Sequence, residues 1–294
     1  MKFKKIAIIG RIQNPGMAET LETLLSLLDA RGIDITVEEE TAQLLATKPK
    51  KFAPRESIGQ NADLVIVVGG DGSLLSAAHS VVNHNVPILG INRGNLGFLT
   101  DIHPTELKTK LTEILDGQYQ EEERFLLDVT LDPASNGQSH NHALNEIALL
   151  PKELPHLVEF EVFIDDAFVC SQRADGILVA TPTGSTAYSL SAGGPILQPN
   201  LDAMVLVPMF SHTLSIRPIV IHADSRVTIH LSPSNTVPMM ISCDSQHHLP
   251  ARANDTIQIQ RKKETLTLIH PKSHDFYSTL RTKLHWGAKP PVTR

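Results

Sequence analysis

The sequence predicts an α/β N-terminal domain over residues 1–122 and a β-rich, sandwich-like C-terminal domain over residues 123–271. Up to residue 117, apolar runs typical of buried strands alternate with segments of helical spacing, which favours a parallel sheet covered by helices. From residue 125 to residue 269 the pattern is one of short strands separated by turns, which is typical of sandwiches. The change falls at the charged segment 121–124. The tail, 272–294, regains helical spacing, and we expect it to pack on the first domain.

The elements of the first domain follow from its apolar spacing. Helical faces carry apolar residues three or four positions apart, and Gly32 and Gly117 follow two of the helices. Buried strands are predicted at 5–10, 63–68 and 86–91, a strand with alternating apolar residues at 33–37, and helices around 21–28, 74–82 and 104–115. We expect Asn14–Gly16 to lie in a loop, and residues 41–58 to form a loop with a short helix.

The second domain is predicted to consist almost entirely of strands. These are expected at 125–131, 146–150, 158–164, 176–180, 204–207, 227–231, 239–243, 256–259 and 266–269. In the tail, Phe276, Leu280 and Leu284 recur at intervals of four residues, which predicts a helix.

Composition excludes several classes of function. The formal net charge of −6 and the lack of a dominant basic run argue against a nucleic-acid surface. No apolar run has the length of a membrane span, and the N-terminus does not resemble a signal peptide. Cys170 and Cys243 are too few for a disulfide framework, so we expect a cytoplasmic protein. Neither the cysteines nor the 14 histidines show metal-ligand spacing, and we assign no residue to a metal.

One candidate site is the segment Gly69–Gly72, which separates a fully apolar strand from a helical repeat. Glycines allow backbone N–H groups to approach phosphate oxygens, and a helix N-terminus favours negative charge. Asp71 would repel phosphate, so its position indicates binding of a metal ion or acceptance of a proton. The alternative is an ordinary Asp-Gly hairpin turn, but the helical pattern that follows disfavours it.

The second candidate site is the stretch Thr181–Ile196, where hydroxyl side chains and glycines surround Tyr188. Hydroxyls offer many donors and acceptors in a tight turn, and the tyrosine ring offers a flat face to a base. A polar surface loop is the alternative. The buried strand that leads into the stretch and Leu197 after it favour a packed site instead.

Together these motifs resemble the NAD kinases, in particular their proteobacterial branch. The segments Gly69–Gly72, Asn92–Phe98, Asn145–Glu146, Arg173–Gly176 and Thr181–Ile196 fit this family in the same order, and the resemblance extends from about Ile6 to Trp286. It implies an NAD kinase/diacylglycerol kinase-like fold with a Rossmann-like N-terminal sheet. It also implies ATP-dependent phosphorylation of the adenosine-ribose 2′-hydroxyl of NAD⁺, giving NADP⁺ and ADP, with Mg²⁺ accompanying ATP. The partners implied are NAD and ATP, within a homo-oligomer, dimer or tetramer, and without nucleic acid or membrane.

The resemblance also assigns roles to residues. Asp71 would be the general base, and Gly72 would approach NAD through its backbone. Arg173 would bind pyrophosphate or set selectivity, while His156 and Gln246 match by position only. The remaining NAD-binding residues would be Asn145, Glu146, Asp175, Thr183, Thr186, Ala187, Tyr188, Ser189, Leu190 and Ser191. Ser245 departs from the Asp-Gly-Gln common in relatives.

Other classes stay open. The sequence lacks a Walker loop, and Leu75 stands at the third glycine position of a dehydrogenase fingerprint, which disfavours a hydride-transfer enzyme. A lipid or sugar kinase sharing the Gly-Gly-Asp-Gly motif is one alternative, and a non-catalytic dinucleotide-binding regulator is another. Taken alone, Asn145–Glu146 could edge a strand, Asp175–Gly176 could form a turn, and Arg173 could be a surface residue.

Overall fold

The computed structural model describes residues 2–11, 16–94, 97–133, 137–153, 156–213 and 215–287. These fall into two structural units, one of Met1–Glu123 with Leu266–Arg294 and the other of Arg124–Thr265. Asn14 and Pro15 of the predicted loop, and Asn95 and Leu96 of the segment Asn92–Phe98, lie outside the described residues.

The first unit contains a parallel sheet flanked by helices, as predicted. Its elements in chain order are β1 (Lys5–Gly10), α1 (Met17–Asp29), β2 (Asp34–Glu38), α2 (Glu39–Ala42), β3 (Phe52–Ala53), β4 (Leu64–Gly69), α3 (Asp71–Val81), β5 (Ile88–Asn92) and α4 (Leu107–Leu115). The strands pair in the order β5-β4-β1-β2-β3, each pair parallel. Every residue of β4 is buried, which explains its uninterrupted apolar run.

The predicted helical faces are the buried faces. In α1 the side chains of Leu21, Leu24 and Leu28 have no exposed surface, and in α3 the same holds for Leu74 and Ala78. The segment 41–58 contains the end of the short helix α2, the strand β3 and a single 3-10 turn at Arg55–Ser57.

The second unit is built from antiparallel strands. The remaining elements are β6 (Tyr119–Asp132), β7 (Ser139–Ala143), β8 (Glu146–Pro151), β9 (Val158–Ile164), β10 (Ala167–Ala174), β11 (Gly176–Ala180), α5 (Tyr188–Ser191), β12 (Ala203–Met209), β13 (Ile219–His222), β14 (Val227–Leu231), β15 (Met239–Cys243), β16 (His247–Ala251), β17 (Thr256–Pro271) and α6 (Phe276–Leu284). The last residues of β17, with α6, belong to the first unit, where Leu268 and Ile269 pair in parallel with β5.

Two layers of strands in the second unit enclose one core. One layer has the strand order β13-β12-β11-β8-β15-β16, and the other contains β10-β9-β14 with the first part of β17. Leu149 and Val179 of the first layer share a hydrophobic cluster with Phe160, Ile229 and Ile257 of the second. This arrangement confirms the predicted sandwich.

The strands that the sequence pattern missed are those with little buried surface. β10, β13 and β16 lie at sheet edges, and β7 pairs with β6. In β13 three of four residues are exposed, so no alternation of buried and exposed positions exists to be recognised. The strands predicted at 256–259 and 266–269 are one strand, β17, whose middle is polar.

Both cysteines have free thiols. Among the described helices, none combines the length and the apolar character that a membrane crossing requires.

Candidate active site

Asp71 is the first residue of α3 and follows directly on the end of β4. The turn between them is tight. A Cβ on Gly69 would lie 2.4 Å from Ser73 Oγ, so the close packing of strand end and helix start requires glycine there. The arrangement places the carboxylate at the carboxyl edge of the parallel sheet, where open α/β sheets bind ligands.

Within the described residues, the Asp71 carboxylate accepts five hydrogen bonds from four residues. Oδ1 accepts from the backbone N–H of Leu99 (3.1 Å) and from both the N–H (3.2 Å) and the hydroxyl (3.0 Å) of Thr100. Oδ2 accepts from the Phe98 N–H (2.8 Å) and from Lys283 Nζ on α6 (3.2 Å). The loop therefore fixes the orientation of the carboxylate, while Lys283 is the one donor on a long, flexible side chain.

The loop that holds Asp71 depends on Gly97 and Asn92. A Cβ on Gly97 would lie 1.9 Å from Asp71 Oδ1, so any larger residue would displace the carboxylate. Asn92, buried at the end of β5, donates its side-chain N–H to the carbonyl of Thr100 at 3.2 Å. This explains why the segment Asn92–Phe98 belongs with Gly69–Gly72 although the two are separated in sequence.

The backbone beside Asp71 faces open space. A Cβ on Gly70 or on Gly72 would meet no described atom within 4 Å, in contrast to Gly69 and Gly97. Neither glycine position is therefore sterically closed, whereas those of Gly69 and Gly97 are.

In the second unit, the stretch after β11 forms a compact, internally bonded turn. Thr181 is fully buried and donates its hydroxyl to the carbonyl of Leu144 at 2.6 Å, while its N–H binds the carbonyl of Asn145 at 2.9 Å. A Cβ on Gly184 would lie 2.1 Å from that Asn145 carbonyl oxygen. The turn therefore packs directly on Asn145, and the alternative of a polar surface loop is wrong.

Asp244, which directly follows the neighbouring strand β15, holds the backbone of Asn145 and Glu146 in place. Its carboxylate accepts the backbone N–H groups of Leu144 (2.8 Å), Asn145 (2.7 Å) and Glu146 (3.1 Å). Asn145, Glu146 and Asp244 are all buried. Three donors converging on one carboxylate fix the backbone at the point where β8 begins.

Glu146 is electrostatically unusual. Burial raises the pKa of its carboxyl group to about 8, the carboxylate of Asp244 adds to the rise, and the Tyr188 backbone N–H opposes it. Partial burial and the carboxylates of Glu146 and Asp175 raise the pKa of the Tyr188 hydroxyl. The structure thus places the carboxylates of Glu146 and Asp175 close enough to the Tyr188 hydroxyl to act on it electrostatically.

The other predicted residues of the Thr-rich stretch have different exposures. Thr183 is buried and accepts a hydrogen bond from Arg124 Nη1 at 3.1 Å, and Ser189 is fully buried. Tyr188 starts the short helix α5 with 36% of its surface exposed, enough to present a ring to a ligand. Thr186, Ala187 and Leu190 are half-buried and Ser191 is exposed.

His156 and Arg173 share a cavity of about 510 Å³ with Glu159 and residues 234–237. Both side chains belong to exposed residues, and Arg173 lies opposite Glu159 in the pairing of β10 with β9.

Gln246 is exposed and follows a turn in which Asp244 and Ser245 have φ values of +51° and +57°. Its N–H closes that turn on the carbonyl of Cys243 at 3.0 Å. Ser245 therefore adopts a conformation that favours glycine, which is the residue expected there from the resemblance.

Comparison with known proteins identifies the family of both parts of the chain. The profile of the ATP-NAD kinase N-terminal domain matches residues 6–119, and that of the ATP-NAD kinase C-terminal domain matches residues 144–271. The chain belongs to the ATP-NAD kinase family. The family predicted from the sequence motifs is thereby confirmed.

The sequences of individual relatives align with nearly the full chain. A protein of Chromohalobacter salexigens named NAD kinase is 48% identical over 287 residues, covering 98% of both chains. A Pseudomonas syringae NAD kinase is 49% identical over 288 residues, covering 98% of this chain and 97% of its own. The solved yeast NADH kinase complexed with NADH superposes with a TM-score of 0.89 at 26% identity, covering 100% of this chain and 91% of that chain.

A more distantly related solved structure has the same fold as the present chain. The Archaeoglobus fulgidus NAD kinase in complex with ATP gives a TM-score of 0.74 at 22% identity, covering 96% of this chain and 97% of its own. These structural likenesses confirm the fold class predicted for the chain.

Sequence reasoning missed several residues of this family member's candidate site. Thr100 and Lys283 were not identified, although both bind Asp71. Asp244 was assigned no role, yet it accepts the backbone N–H groups of Asn145 and Glu146. For Lys283 no sequence signal exists, because it lies 212 residues from its partner.

Proposed function

We propose that this protein transfers the γ-phosphoryl group of ATP to the adenosine-ribose 2′-hydroxyl of NAD⁺, giving NADP⁺ and ADP. The observation that carries the proposal is the Asp71 carboxylate, held by the loop 97–100 beside the open backbone of Gly70 and Gly72. Membership of the ATP-NAD kinase family supports the choice of substrates.

In this proposal Asp71 is the general base. The 2′-hydroxyl proton passes to the carboxylate as the hydroxyl oxygen bonds to the γ-phosphorus, the bond to the β-phosphate oxygen breaks, and ADP leaves. Asp71 then returns the proton to solvent. Most of the work in phosphoryl transfer is positioning and charge stabilisation, so a rigidly held carboxylate suits it. The substrate hydroxyl would bind Oδ2, where Lys283 is the exchangeable donor.

ATP enters as its Mg²⁺ complex, and the protein contributes backbone donors to its phosphates. Backbone N–H groups at the start of α3, beside the sterically open Gly70 and Gly72, would supply these donors. Mg²⁺ is held mainly by phosphate oxygens and water, as is usual for this ion.

Most of the predicted NAD-binding residues belong to the second unit. Asn145 and Glu146 would bind the nucleoside part, Asp175 the other ribose and nicotinamide, and Tyr188 would stack on a ring. Thr183 and the run Thr186, Ala187, Ser189, Leu190 and Ser191 would line the pocket. Arg173, His156 and Gln246 would contact its outer parts, since all three are exposed.

The decisive assay uses purified protein with ATP, Mg²⁺ and NAD⁺, with NADP⁺ detected by a coupled NADP-dependent dehydrogenase. NADP⁺ should accumulate in proportion to enzyme, and NADH tested in parallel shows whether the reduced form is also accepted. Phosphorylation of a lipid or a sugar phosphate without NADP⁺ would favour the first alternative. Saturable NAD binding by calorimetry without turnover would favour a regulator.

We also propose that the protein works in the cytoplasm as a homo-oligomer, a dimer or tetramer. The two free thiols are consistent with a reducing compartment. Exposed apolar side chains on edge strands, Phe168 and Val169 on β10 and Ile219 and Val220 on β13, support self-association. Light scattering coupled to size-exclusion chromatography tests the assembly, and a monomer at micromolar concentration would contradict it.

A further inference from the structure

Two histidines stack face to face at the end of β17. The rings of His270 and His274 have centroids 3.9 Å apart and are inclined by 19°. The Nδ1 atoms of both face the same atom, Asp101 Oδ2, at 2.9 Å and 2.8 Å. Two imidazole nitrogens and one carboxylate oxygen therefore converge, all within 4.8 Å of one another.

The opposite edges of the two rings face a second carboxylate. Glu122 Oε2 lies 3.4 Å from His270 Nε2 and 4.0 Å from His274 Nε2. Histidines that ligate a metal usually turn their other ring nitrogen toward a carboxylate or carbonyl, which fixes the tautomer and the ring orientation. Both Nε2 atoms lie on the Glu122 side of the cluster, and the His270 nitrogen is the nearer of the two to the carboxylate.

The cluster is largely buried, and its four side chains balance their charges only when both rings are protonated. The His270 side chain is 2% exposed, and those of Asp101 and His274 are 10% and 11% exposed. With neutral rings, two carboxylates face two uncharged groups. With two imidazolium rings, like charges would stack 3.9 Å apart. Asp101 Oδ1 is also buried with no hydrogen-bond partner in the described part of the chain.

We propose that Asp101, His270 and His274 bind a divalent transition-metal ion, with Zn²⁺ as the ion best matched to two imidazoles and a carboxylate. The ion supplies two positive charges while both rings stay neutral, and Glu122 accepts the remaining ring N–H groups. Ligands about 2.0–2.1 Å from zinc lie roughly 3.3 Å apart in a tetrahedron. Asp101 Oδ2 would therefore need to move about half an ångström farther from each Nδ1 atom than the present 2.9 and 2.8 Å.

The surroundings hold the ligands in place. Gln120 donates its side-chain amide to the carbonyls of Pro271, Lys272 and His274 at 3.2–3.4 Å, which fixes the turn that carries His274. Asp101 directly follows Thr100, which binds Asp71. The ion would therefore stabilise the loop behind the proposed base without contacting reacting atoms.

The test is a titration of the full-length, chelator-treated protein with Co²⁺, followed by competition with Zn²⁺ in calorimetry. We expect one ion per chain, visible absorption bands of bound Co²⁺, and displacement of Co²⁺ by Zn²⁺. The wild-type titration decides on its own: without saturable binding, the proposal is wrong whatever the variants do.

Variants assign the ligands. His274→Ala, the more exposed of the two histidines, should weaken Zn²⁺ binding more than about 100-fold, and Glu122→Gln by about 10–100-fold. His140→Ala, an exposed histidine of the other unit, should leave binding unchanged. Undiminished binding by folded His274→Ala, or equal loss in His140→Ala, would overturn the assignment. Because these readouts measure metal and not NADP⁺, they are independent of the proposed kinase activity.

Discussion

Lys283 Nζ lies 3.2 Å from Asp71 Oδ2, although the two residues are 212 positions apart. The ammonium group also lies 4.8 Å from the centroid of the Phe98 ring, whose backbone N–H binds the same carboxylate oxygen. Helix α6 thus supplies a cation to the proposed base. The cation offsets a negative charge that would otherwise oppose the phosphates of ATP.

Replacing Lys283 by methionine should therefore raise the KM for ATP about 5-fold, equivalent to about 1 kcal/mol for a partly exposed charge pair. Lys283→Arg keeps the charge and should stay close to wild type. Initial rates at varied ATP measure the effect, and thermal unfolding checks that the stability is retained. If Lys283→Met bound ATP as well as the wild type, the electrostatic role would be disproved.

Tyr188→Ala should mainly raise the KM for NAD and leave kcat nearly unchanged, because stacking stabilises ground and transition states alike. Tyr188→Phe keeps the ring and should behave as wild type. Tyr277→Ala removes a comparably exposed tyrosine from the other unit and serves as the matched control. An unaltered KM in Tyr188→Ala, measured by varying NAD at saturating ATP, would rule out stacking.

Glu146 gives a pH dependence of stability. Its pKa rises from 4.5 in the unfolded chain to about 8 in the folded protein, so the folded state holds the proton more tightly. The stability that this carboxyl group contributes is complete below pH 4.5 and is lost as the pH rises through 8. Glu146→Gln keeps a neutral group at every pH.

We therefore expect Glu146→Gln to gain stability relative to wild type between pH 5.5 and pH 8.5, by on the order of 1–3 kcal/mol. Urea unfolding at both pH values measures the difference. A constant difference between the two proteins across this range would show that Glu146 ionises normally.

Ser245→Gly should stabilise the protein by about 0.5–1 kcal/mol, because Ser245 has a φ of +57°. Ser245→Ala keeps a Cβ at this position, so it does not relieve the backbone strain and should not stabilise the protein. Denaturant unfolding compares the three proteins, and a loss of stability in Ser245→Gly would mean that the serine side chain outweighs the strain.

Much of this fold could be predicted from the sequence because the central elements are buried. β4 has no exposed residue, and an apolar run of that kind has few other interpretations. β13 also begins with apolar residues, but at a sheet edge three of its four residues are exposed, so an apolar run there does not indicate a buried strand. A strand buried on both faces can be predicted from its own residues. The pairing of an edge strand depends on the neighbouring strand, which its own residues do not reveal.

The residues of the candidate site likewise fall into those that the sequence predicts and those that it does not. Asp71 and Tyr188 lie within contiguous motifs whose residue types already indicate their chemistry. Asp244 and Lys283 act through contacts made only when distant segments fold together. The requirement for glycine at position 97 likewise arises from a carboxylate 26 positions earlier in the chain, 1.9 Å from where a Cβ would lie.

The central claim is that Asp71 accepts the proton of the 2′-hydroxyl, and Asp71→Asn tests it most directly. The coupled NADP⁺ assay should show a kcat about 10²–10⁴-fold below wild type with the fold retained by circular dichroism. Asp116→Asn, at an exposed ion pair with Arg31, is the matched control and should be fully active. Near-normal turnover in folded Asp71→Asn would contradict the account.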